Sequence, residues 1–246
     1  MRARLTEANG TLSAARRASA ERESQVRTGL IIAIDGPSGA GKGTISRTLS
    51  EALGYRHVDT GAMYRAVGWK AAHEGIPLDD EGAIAAVAQR AAIVVEGGVV
   101  SIDGDDVTTA IRTPDIDKAA AAVARLPRVR DVLVARQRAL GADGGVVMEG
   151  RDIGTVVFPN ADLKIYLDAS AEERARRRAN DPAHTGSQSG QAAVAAAIQA
   201  RDTSDTTRKV SPLTLAPDAV HIDTTGMPIQ DVVDRVLGLV RAKLQA

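Results

Sequence analysis

A nine-residue stretch, "GPSGAGKGT" at residues 36–44, has the residue types and spacing that bind phosphate. Glycines let the backbone approach an anion closely, and N–H groups at the start of a following helix can surround phosphate oxygens. Lys42 can reach the terminal phosphates of a nucleotide. An ordinary glycine-rich turn is the alternative, but the lysine favours a nucleotide-binding loop (P-loop). The residues predicted to contact the nucleotide are Gly36, Pro37, Ser38, Gly39, Ala40, Gly41, Lys42, Gly43 and Thr44.

The hydroxyl that usually ends this motif comes one position late, because Gly43 follows Lys42 and Thr44 comes next. In the complete motif that hydroxyl coordinates Mg²⁺, and GTPase switches couple this ligand to the ordering of a loop. Gly43 has no side chain to offer a metal. We therefore expect Mg²⁺ to be held mainly by nucleotide oxygens, water and a carboxylate, which favours a small-molecule kinase over a switch.

The elements that would position this loop alternate between short apolar runs and helical stretches. A helix is predicted to begin in the loop and run through "GTISRTLSEAL", a second to run from Gly61 to about His73, and a last one to cover "IQDVVDRVLGLVRAKL". Five short strands between helices indicate an α/β fold with a five-stranded parallel sheet of the P-loop NTPase type. The predicted strands are "LIIAID" (30–35), "RHVDT" (56–60), "GVVMEG" (145–150), "LKIYLD" (163–168) and "AVHID" (219–223).

Residues 77–144 interrupt this alternation and predict an inserted lobe between the second and third core strands. They contain a hairpin signal around Gly97-Gly98 and two helices near 115–125 and 128–140. The core would then comprise residues 29–76 and 145–246. Residues 174–190 change from Arg-rich to Pro/Gly/Ser-rich and predict a short mobile lid, whereas residues 1–28 predict a mobile N-terminal extension.

The composition excludes several classes of protein. Lys plus Arg and Asp plus Glu both number 31, so the net charge offers no field for nucleic acid or an anionic membrane. Aromatic residues make up 2%, which argues against stacking platforms for single-stranded nucleic acid. The chain has no cysteine, and its four histidines are scattered, which favours structural or exposed roles for them. No apolar run approaches the roughly 18 residues of a membrane span.

Six stretches, in order along the chain, resemble the bacterial cytidylate kinases. The resemblance covers roughly residues 30–245 and leaves out the N-terminal extension. It implies ATP-dependent phosphorylation of CMP and dCMP with Mg²⁺, an acceptor-binding inserted lobe, and a lid. The stretches are "IDGPSGAGKGT" (34–44), "DTGAMYRAV" (59–67), "IRTPDID" (111–117), "LPRVRDVLVARQR" (126–138), "EGRDIGTVVFPNADLKIYLDAS" (149–170) and "RDTSDTTRKVSPL" (201–213).

The resemblance implies a set of acceptor-binding residues. Arg65, Arg151 and Arg208 match arginines that grip the acceptor phosphate, and Asp205 matches the residue that holds the ribose hydroxyls. Thr60 belongs to the same acceptor set. For Arg65 alone, a solvent-exposed helix arginine would be the ordinary interpretation. Three guanidinium groups are costly to hold together without an anion, so their convergence would imply a ligand.

Base recognition is assigned by the resemblance to Arg130 and Asp152. A carboxylate can accept from the cytosine N4 amino group, and a guanidinium can donate to N3 or O2, whereas uracil reverses the polarity of both positions. Without the resemblance, a surface salt bridge for Arg130 and a turn-capping role for Asp152 would be preferred. Ala121, nine positions before Arg130, replaces a serine common in the family, so discrimination between pyrimidines is open.

The run "ERARRR" at residues 173–178 would ordinarily form a solvated basic face. It resembles the lid arginines of these kinases, and Arg174 and Arg178 are therefore predicted to act with Lys42 on the transferring phosphoryl group. Glu149 takes the place of a family aspartate before "GRD". It is a candidate to hold a Mg²⁺-bound water, although no metal ligand is certain.

The sequence thus predicts a nucleoside monophosphate kinase with ATP and CMP or dCMP as small-molecule partners, acting in pyrimidine metabolism. We expect a cytoplasmic monomer that binds neither nucleic acid nor membrane. One alternative is a P-loop kinase for another acceptor, such as UMP or a small alcohol, and Arg130 and Asp152 discriminate against it. Another is a regulatory module that senses ATP without turnover, which would not need the acceptor arginines.

Overall fold

The computed structural model of the chain describes residues 29–181 and 190–245. The extension predicted over residues 1–28 lies outside these ranges, as do residues 182–189 of the predicted lid. Among the helices of the described ranges, none is both long and apolar enough to cross a membrane.

Strands and helices are numbered here in chain order within the described residues. The strands are β1 (Ile31–Asp35), β2 (Arg56–Asp59), β3 (Ile93–Glu96), β4 (Val99–Ile102), β5 (Asp105–Asp106), β6 (Val146–Gly150), β7 (Leu163–Asp168) and β8 (Val220–Asp223). The α-helices are α1 (Lys42–Leu53), α2 (Thr60–His73), α3 (Glu81–Arg90), α4 (Pro114–Val123), α5 (Pro127–Leu140), α6 (Ala171–Ala179), α7 (Gln191–Thr207) and α8 (Ile229–Leu244). A π-helical turn spans Ile153–Val157.

The central sheet has five parallel strands in the order β2-β6-β1-β7-β8. All five predicted strands are confirmed. Strands β1 and β6 are buried along their whole length, as expected for near-continuous apolar runs in a parallel sheet. Because β6 lies beside β1, the loops that leave the carboxyl ends of these two strands are neighbours, and ligand sites in such sheets gather at this edge.

Alternation along β1 divides its side chains between two cores. Ile32 and Ile34 pack with Leu49 of α1 and Val236 of α8 on one face of the sheet. Ile31 and Ala33 face the opposite core. Each fully buried aliphatic side chain contributes about 1.5–3 kcal/mol relative to exposure. The two cores fix the carboxyl end of β1, and with it the P-loop that follows.

The segment between β2 and β6 contains the predicted hairpin and both predicted helices. The hairpin turn uses Gly97 and Gly98, both with positive φ (57° and 84°). A two-residue type I′ turn requires positive φ at both of its central residues. Pro114 and Pro127 occupy the first turns of α4 and α5. Strand β5 and helix α3 were not predicted from the sequence, although the side chain of Asp80 caps α3 by accepting the N–H of Ala83.

This segment packs on the core through α2. Val67 of α2 joins Ile84 of α3, Val123 of α4 and Leu133 of α5 in one buried cluster. The close packing of α2 against α4 matters for the site, because these helices carry Arg65 and Asp117. The boundaries of an inserted lobe at residues 77 and 144 stay a prediction.

Candidate active site

The P-loop connects β1 to α1 and surrounds the side chain of its own lysine. Gly41 caps α1 with a left-handed backbone (φ 93°), and Lys42 is the first residue of the helix. The ammonium of Lys42 donates to the carbonyl of Pro37 at 2.7 Å and is buried. A Cβ atom on Gly36 would lie 1.9 Å from the carbonyl oxygen of Leu167, so the loop can pass β7 only as glycine.

Burial disfavours the charged form of Lys42. Desolvation, reinforced by the nearby Arg151, lowers the pKa of Lys42 to about 7. Glu149, Asp205 and Asp35 oppose this shift without cancelling it. A polyphosphate in the loop would supply the counter-charge that the ammonium lacks.

The carboxylate of Glu149 stands beside the loop where the usual hydroxyl is missing. A Cβ atom on Gly43 would lie 3.4 Å from Glu149 Oε1, so the carboxylate occupies the region toward which a side chain after Lys42 would point. His57 Nε2 lies 2.9 Å from Glu149 Oε1 and fixes its orientation. No local sequence pattern marks His57 as a site residue, because this pair joins residues 92 positions apart.

Oxygen ligands are the kind Mg²⁺ prefers, so Glu149 fits the expected metal. Within residues 29–181 and 190–245, no group of three His, Cys, Asp or Glu side chains could hold a metal by itself. The hydroxyl of Thr44 belongs to an exposed residue.

Two predicted lid arginines reach the P-loop from α6, which begins after the β7 strand. Arg174 donates to the carbonyl of Ser38 at 3.0 Å and pairs with Asp202 of α7. Arg178 donates to the hydroxyl of Ser38 at 2.9 Å. Asp202, which the sequence analysis did not single out, also accepts the N–H of Ser38 at 3.2 Å. Positive charge therefore already borders the loop.

Two of the predicted acceptor-phosphate arginines, Arg65 and Arg151, are held by carboxylates. Arg65 Nε donates to Asp117 Oδ1 at 3.1 Å, and its Nη1 lies 3.7 Å from Asp59 Oδ2. Arg151 Nε donates to Asp205 Oδ2 at 2.8 Å. The carboxylates keep these two guanidinium groups in place.

Arg201 is a further member of this group that the sequence analysis missed. Its Nε lies 3.3 Å from both carboxylate oxygens of Asp205, one helical turn away, and its Nη1 donates to the carbonyl of Asp117 at 2.8 Å. Burial alone would raise the pKa of Asp205, but Arg151 and Arg201 outweigh it and hold that pKa below its usual value. Asp205 is thus a buried anion shared by two arginines.

The two predicted base-reading residues form a buried ion pair. Arg130 Nη2 donates to Asp152 Oδ2, and Arg208 Nη2 lies 3.6 Å from Asp152 Oδ1. The guanidinium of Arg130 lies over the ring of Tyr64, 5.6 Å from its centroid. Burial raises the pKa of Asp152, although Arg130 and Arg208 oppose the shift.

Several polar atoms around this pair lack a hydrogen-bond partner among the described residues. They are Arg130 Nε, Arg208 Nη2, Tyr64 Oη and Gln137 Nε2. Buried polar atoms are normally satisfied, and leaving one unpaired costs about 1–3 kcal/mol. A ligand with complementary polar edges would relieve this cost, and Gln137 and Tyr64 could then take part without having been predicted.

The turn that carries Arg151 and Asp152 is anchored to the P-loop strand. Asp35, the last residue of β1, accepts the N–H groups of Ile153 at 2.8 Å and Gly154 at 2.7 Å. Burial outweighs these hydrogen bonds and raises the pKa of Asp35 to about 6. The hydroxyl of Thr60, another predicted acceptor residue, donates to the carbonyl of Glu149 at 2.7 Å and ties α2 to β6.

A P-loop at the carboxyl edge of a parallel sheet, facing arginines and a buried ion pair, is the arrangement of a phosphotransferase that brings two phosphorylated substrates together. This defines the class as the nucleoside monophosphate kinases. The family model described as cytidylate kinase matches residues 32–242, and the chain belongs to that family.

Curated relatives agree with this assignment. The chain is 48% identical over 223 residues to the cytidylate kinase of Desulfitobacterium hafniense, with 89% of this chain and 96% of the relative covered. It is 47% identical to the cytidylate kinase of Geobacter sulfurreducens, with 89% and 96% covered. Among solved structures, a gluconokinase from Sinorhizobium meliloti aligns with a TM-score of 0.48 and 17% identity over 89% of this chain and 95% of that chain, too distant to support a conclusion.

Proposed function

We propose that the protein transfers the γ-phosphoryl group of ATP to CMP and dCMP, giving ADP and the nucleoside diphosphate. The observation that carries this proposal is the buried Arg130–Asp152 pair with its unpartnered polar atoms, on a turn anchored to Asp35 just before the P-loop. Membership of the cytidylate kinase family agrees with it. Both phosphates are brought together by positioning and charge neutralisation, so no covalent enzyme intermediate is needed.

The donor nucleotide binds along the P-loop, with its terminal phosphates at Lys42. Binding restores full charge to Lys42, because the polyphosphate compensates the burial that lowers its pKa to about 7. Arg174 and Arg178, already at Ser38, contribute positive charge to the transferring group. Lid closure would exclude water and suppress hydrolysis of ATP.

The acceptor phosphate binds to Arg65, Arg151 and Arg208, and the ribose to Asp205. Support comes from the ion pairs that hold Arg65 and Arg151, and Arg151 is near enough to Lys42 to lower its pKa. Guanidinium groups bind phosphate through two parallel hydrogen bonds, which fixes its orientation. An acceptor oriented in this way places its oxygen in line with the donor phosphoryl group.

The base enters beside Asp152 and Arg130. Asp152 Oδ1, which faces Arg208 at 3.6 Å, is available to accept from the cytosine N4 amino group. Arg130 Nε is available to donate to the ring acceptors. Uracil would place its O4 against the carboxylate and its N3–H against the guanidinium, which are two repulsive contacts.

Mg²⁺ is proposed to be held by nucleotide oxygens, with Glu149 contacting it through water. When bound, the metal neutralises charge on the phosphates of the donor. Glu149 is suited to this position because His57 orients it and because Gly43 leaves the space open. Exchanging Glu149 for Gln should therefore raise the Mg²⁺ concentration needed for half-maximal activity.

The decisive experiment is an ADP-release assay with CMP, dCMP, UMP and AMP as acceptors. The proposal predicts much higher kcat/KM for CMP and dCMP than for UMP or AMP. A kinase for another acceptor would show a different order, and a module that senses ATP would bind nucleotide without releasing ADP. The lid at residues 174–190, the cytoplasmic location and the monomeric state stay predictions.

A further inference from the structure

Asp117 lies where three arginines from three different helices converge. Arg65 of α2 donates to its Oδ1 at 3.1 Å, and Arg178 Nη1 of α6 lies 3.9 Å from its Oδ2. Arg201 of α7 donates to its backbone carbonyl at 2.8 Å. Two of these guanidinium groups thus face the carboxylate of Asp117, and the third holds its backbone.

The electrostatic effect of Asp117 extends to all three guanidinium groups. Burial lowers the pKa of each guanidinium group, and the negative charge of Asp117 opposes this effect. The pKa of Arg65, which Asp59 also raises, lies above its usual value, whereas burial keeps the pKa values of Arg178 and Arg201 below theirs. Without this carboxylate, the arginines would repel one another in the free protein. Asp117 therefore stabilises the cluster when no nucleotide is present.

A role in the helix alone does not account for Asp117. It lies in the first turn of α4, where an acid interacts favourably with the helix dipole. Asp115 lies in the same turn and meets that need equally, yet its side chain is 90% exposed and pairs at 3.3 Å with Lys118, which is 80% exposed. Asp117 is 26% exposed and faces the arginines.

We propose that Asp117 is a placeholder for the phosphate of the acceptor nucleotide. Its carboxylate interacts with the guanidinium groups of Arg65 and Arg178 in the free enzyme, and the acceptor phosphate displaces it when the nucleotide binds. The inference rests on the proposed function, because it takes the acceptor phosphate to bind at Arg65. Its consequence is unusual: the carboxylate competes with the substrate, so removing its charge tightens binding.

The test measures equilibrium binding of CMP and of cytidine by calorimetry in the absence of ATP. Asp117→Asn should bind CMP roughly three- to thirtyfold more tightly than wild type, since one or two competing ion pairs are lost. Cytidine has no phosphate, so its affinity should change less than twofold. Asp115→Asn, which removes the same charge from the same helical turn, should leave both affinities unchanged.

Weaker or unchanged CMP binding by Asp117→Asn would overturn the placeholder role. Equally tighter CMP binding by Asp115→Asn would also overturn it, because the effect would then come from the loss of any negative charge in this helical turn. Wild-type protein that binds neither CMP nor cytidine would instead count against the proposed function. If Asp117→Asn does not fold, a structure of the wild-type CMP complex decides. The Arg65–Asp117 contact of 3.1 Å should be broken there, and its persistence would overturn the inference.

Discussion

Arg130 and Asp152 form a buried ion pair that joins α5 to the turn after β6, with side chains 3% and 7% exposed. A pair of this kind is weak evidence for stability, because desolvating two charges can cost more than their attraction returns. Its position beside unpartnered polar atoms is better explained by recognition of a ligand.

Asp152→Ala should lower kcat/KM for CMP more than for UMP. The preference for CMP over UMP should fall by about 1–3 kcal/mol, which is the contribution of one base-edge contact. Binding of ATP should be affected far less. Because the change leaves Arg130 buried without its partner, a loss of about 3–5 kcal/mol of stability is also expected. Asp152→Asn keeps an acceptor oxygen and is the conservative comparison. Equal losses for CMP and UMP would mean that Asp152 serves the fold alone.

Arg65→Ala should weaken CMP, dCMP and UMP by similar factors, because a phosphate contact carries no information about the base. The comparison of the three acceptors under steady-state conditions checks this directly. Arg235→Ala removes an exposed arginine of α8 and should leave all three values unchanged. A selective loss for one base would place Arg65 in the base pocket instead.

The sequence predicted the five-stranded sheet because each core strand is a short apolar run with a clear boundary, as in β1 and β6. It missed β5, which consists only of Asp105 and Asp106, a dipeptide with low strand propensity. Helix α3 carried a readable cap at Asp80, and that signal was overlooked.

The site was predicted less completely than the fold, because its contacts join distant residues. Asp35 anchors Gly154 from 119 positions away, and no local pattern marks that role. Arg201 lies within a matched stretch, but only the structure brings it to Asp205 and to the carbonyl of Asp117. The resemblance to a known family predicts which residues belong to the site. It does not predict which carboxylates pair with the arginines, because those pairs depend on three-dimensional packing.

Ala121→Ser should modestly tighten the binding of CMP by adding a hydroxyl on α4, at the position where the sequence resemblance implies a serine. Ala121 is half-buried, so the added hydroxyl must find a partner to be favourable. Measured KM values for CMP and UMP distinguish a base contact from a change in packing. A contact lowers KM for CMP alone, whereas a fall for both acceptors would contradict this assignment.

Lys42→Ala should reduce turnover by several decades, because it removes the positive charge at the transferring group. CMP binding should survive, since the acceptor contacts lie on Arg65, Arg130 and Asp152. Single-turnover rates and calorimetric titration with CMP separate the two effects. Activity within tenfold of wild type would show that the loop does not bind the donor phosphates as proposed.

The pKa of Lys42 predicts that ATP binding takes up a proton. In the free protein this pKa is lowered from 10.5 to about 7, so most molecules carry a neutral Lys42 amine well above pH 7. A bound polyphosphate favours the charged form of Lys42 and raises its pKa again. Protons are therefore taken up at pH values between the pKa of Lys42 in the free protein and its pKa in the complex. Below about pH 6 Lys42 is already charged and contributes no uptake.

Calorimetric titrations of a non-hydrolysable ATP analogue at about pH 8.5, in buffers of different ionisation enthalpy, measure this uptake. The wild-type protein should take up about one proton per nucleotide, because the pKa of free Lys42 lies well below that pH. Lys42→Met removes the titrating group and should reduce the uptake to near zero, even if its affinity is weaker. Because MgATP has no group of its own that titrates near that pH, equal uptake by both proteins would assign the proton to another residue and contradict the lowered pKa of Lys42.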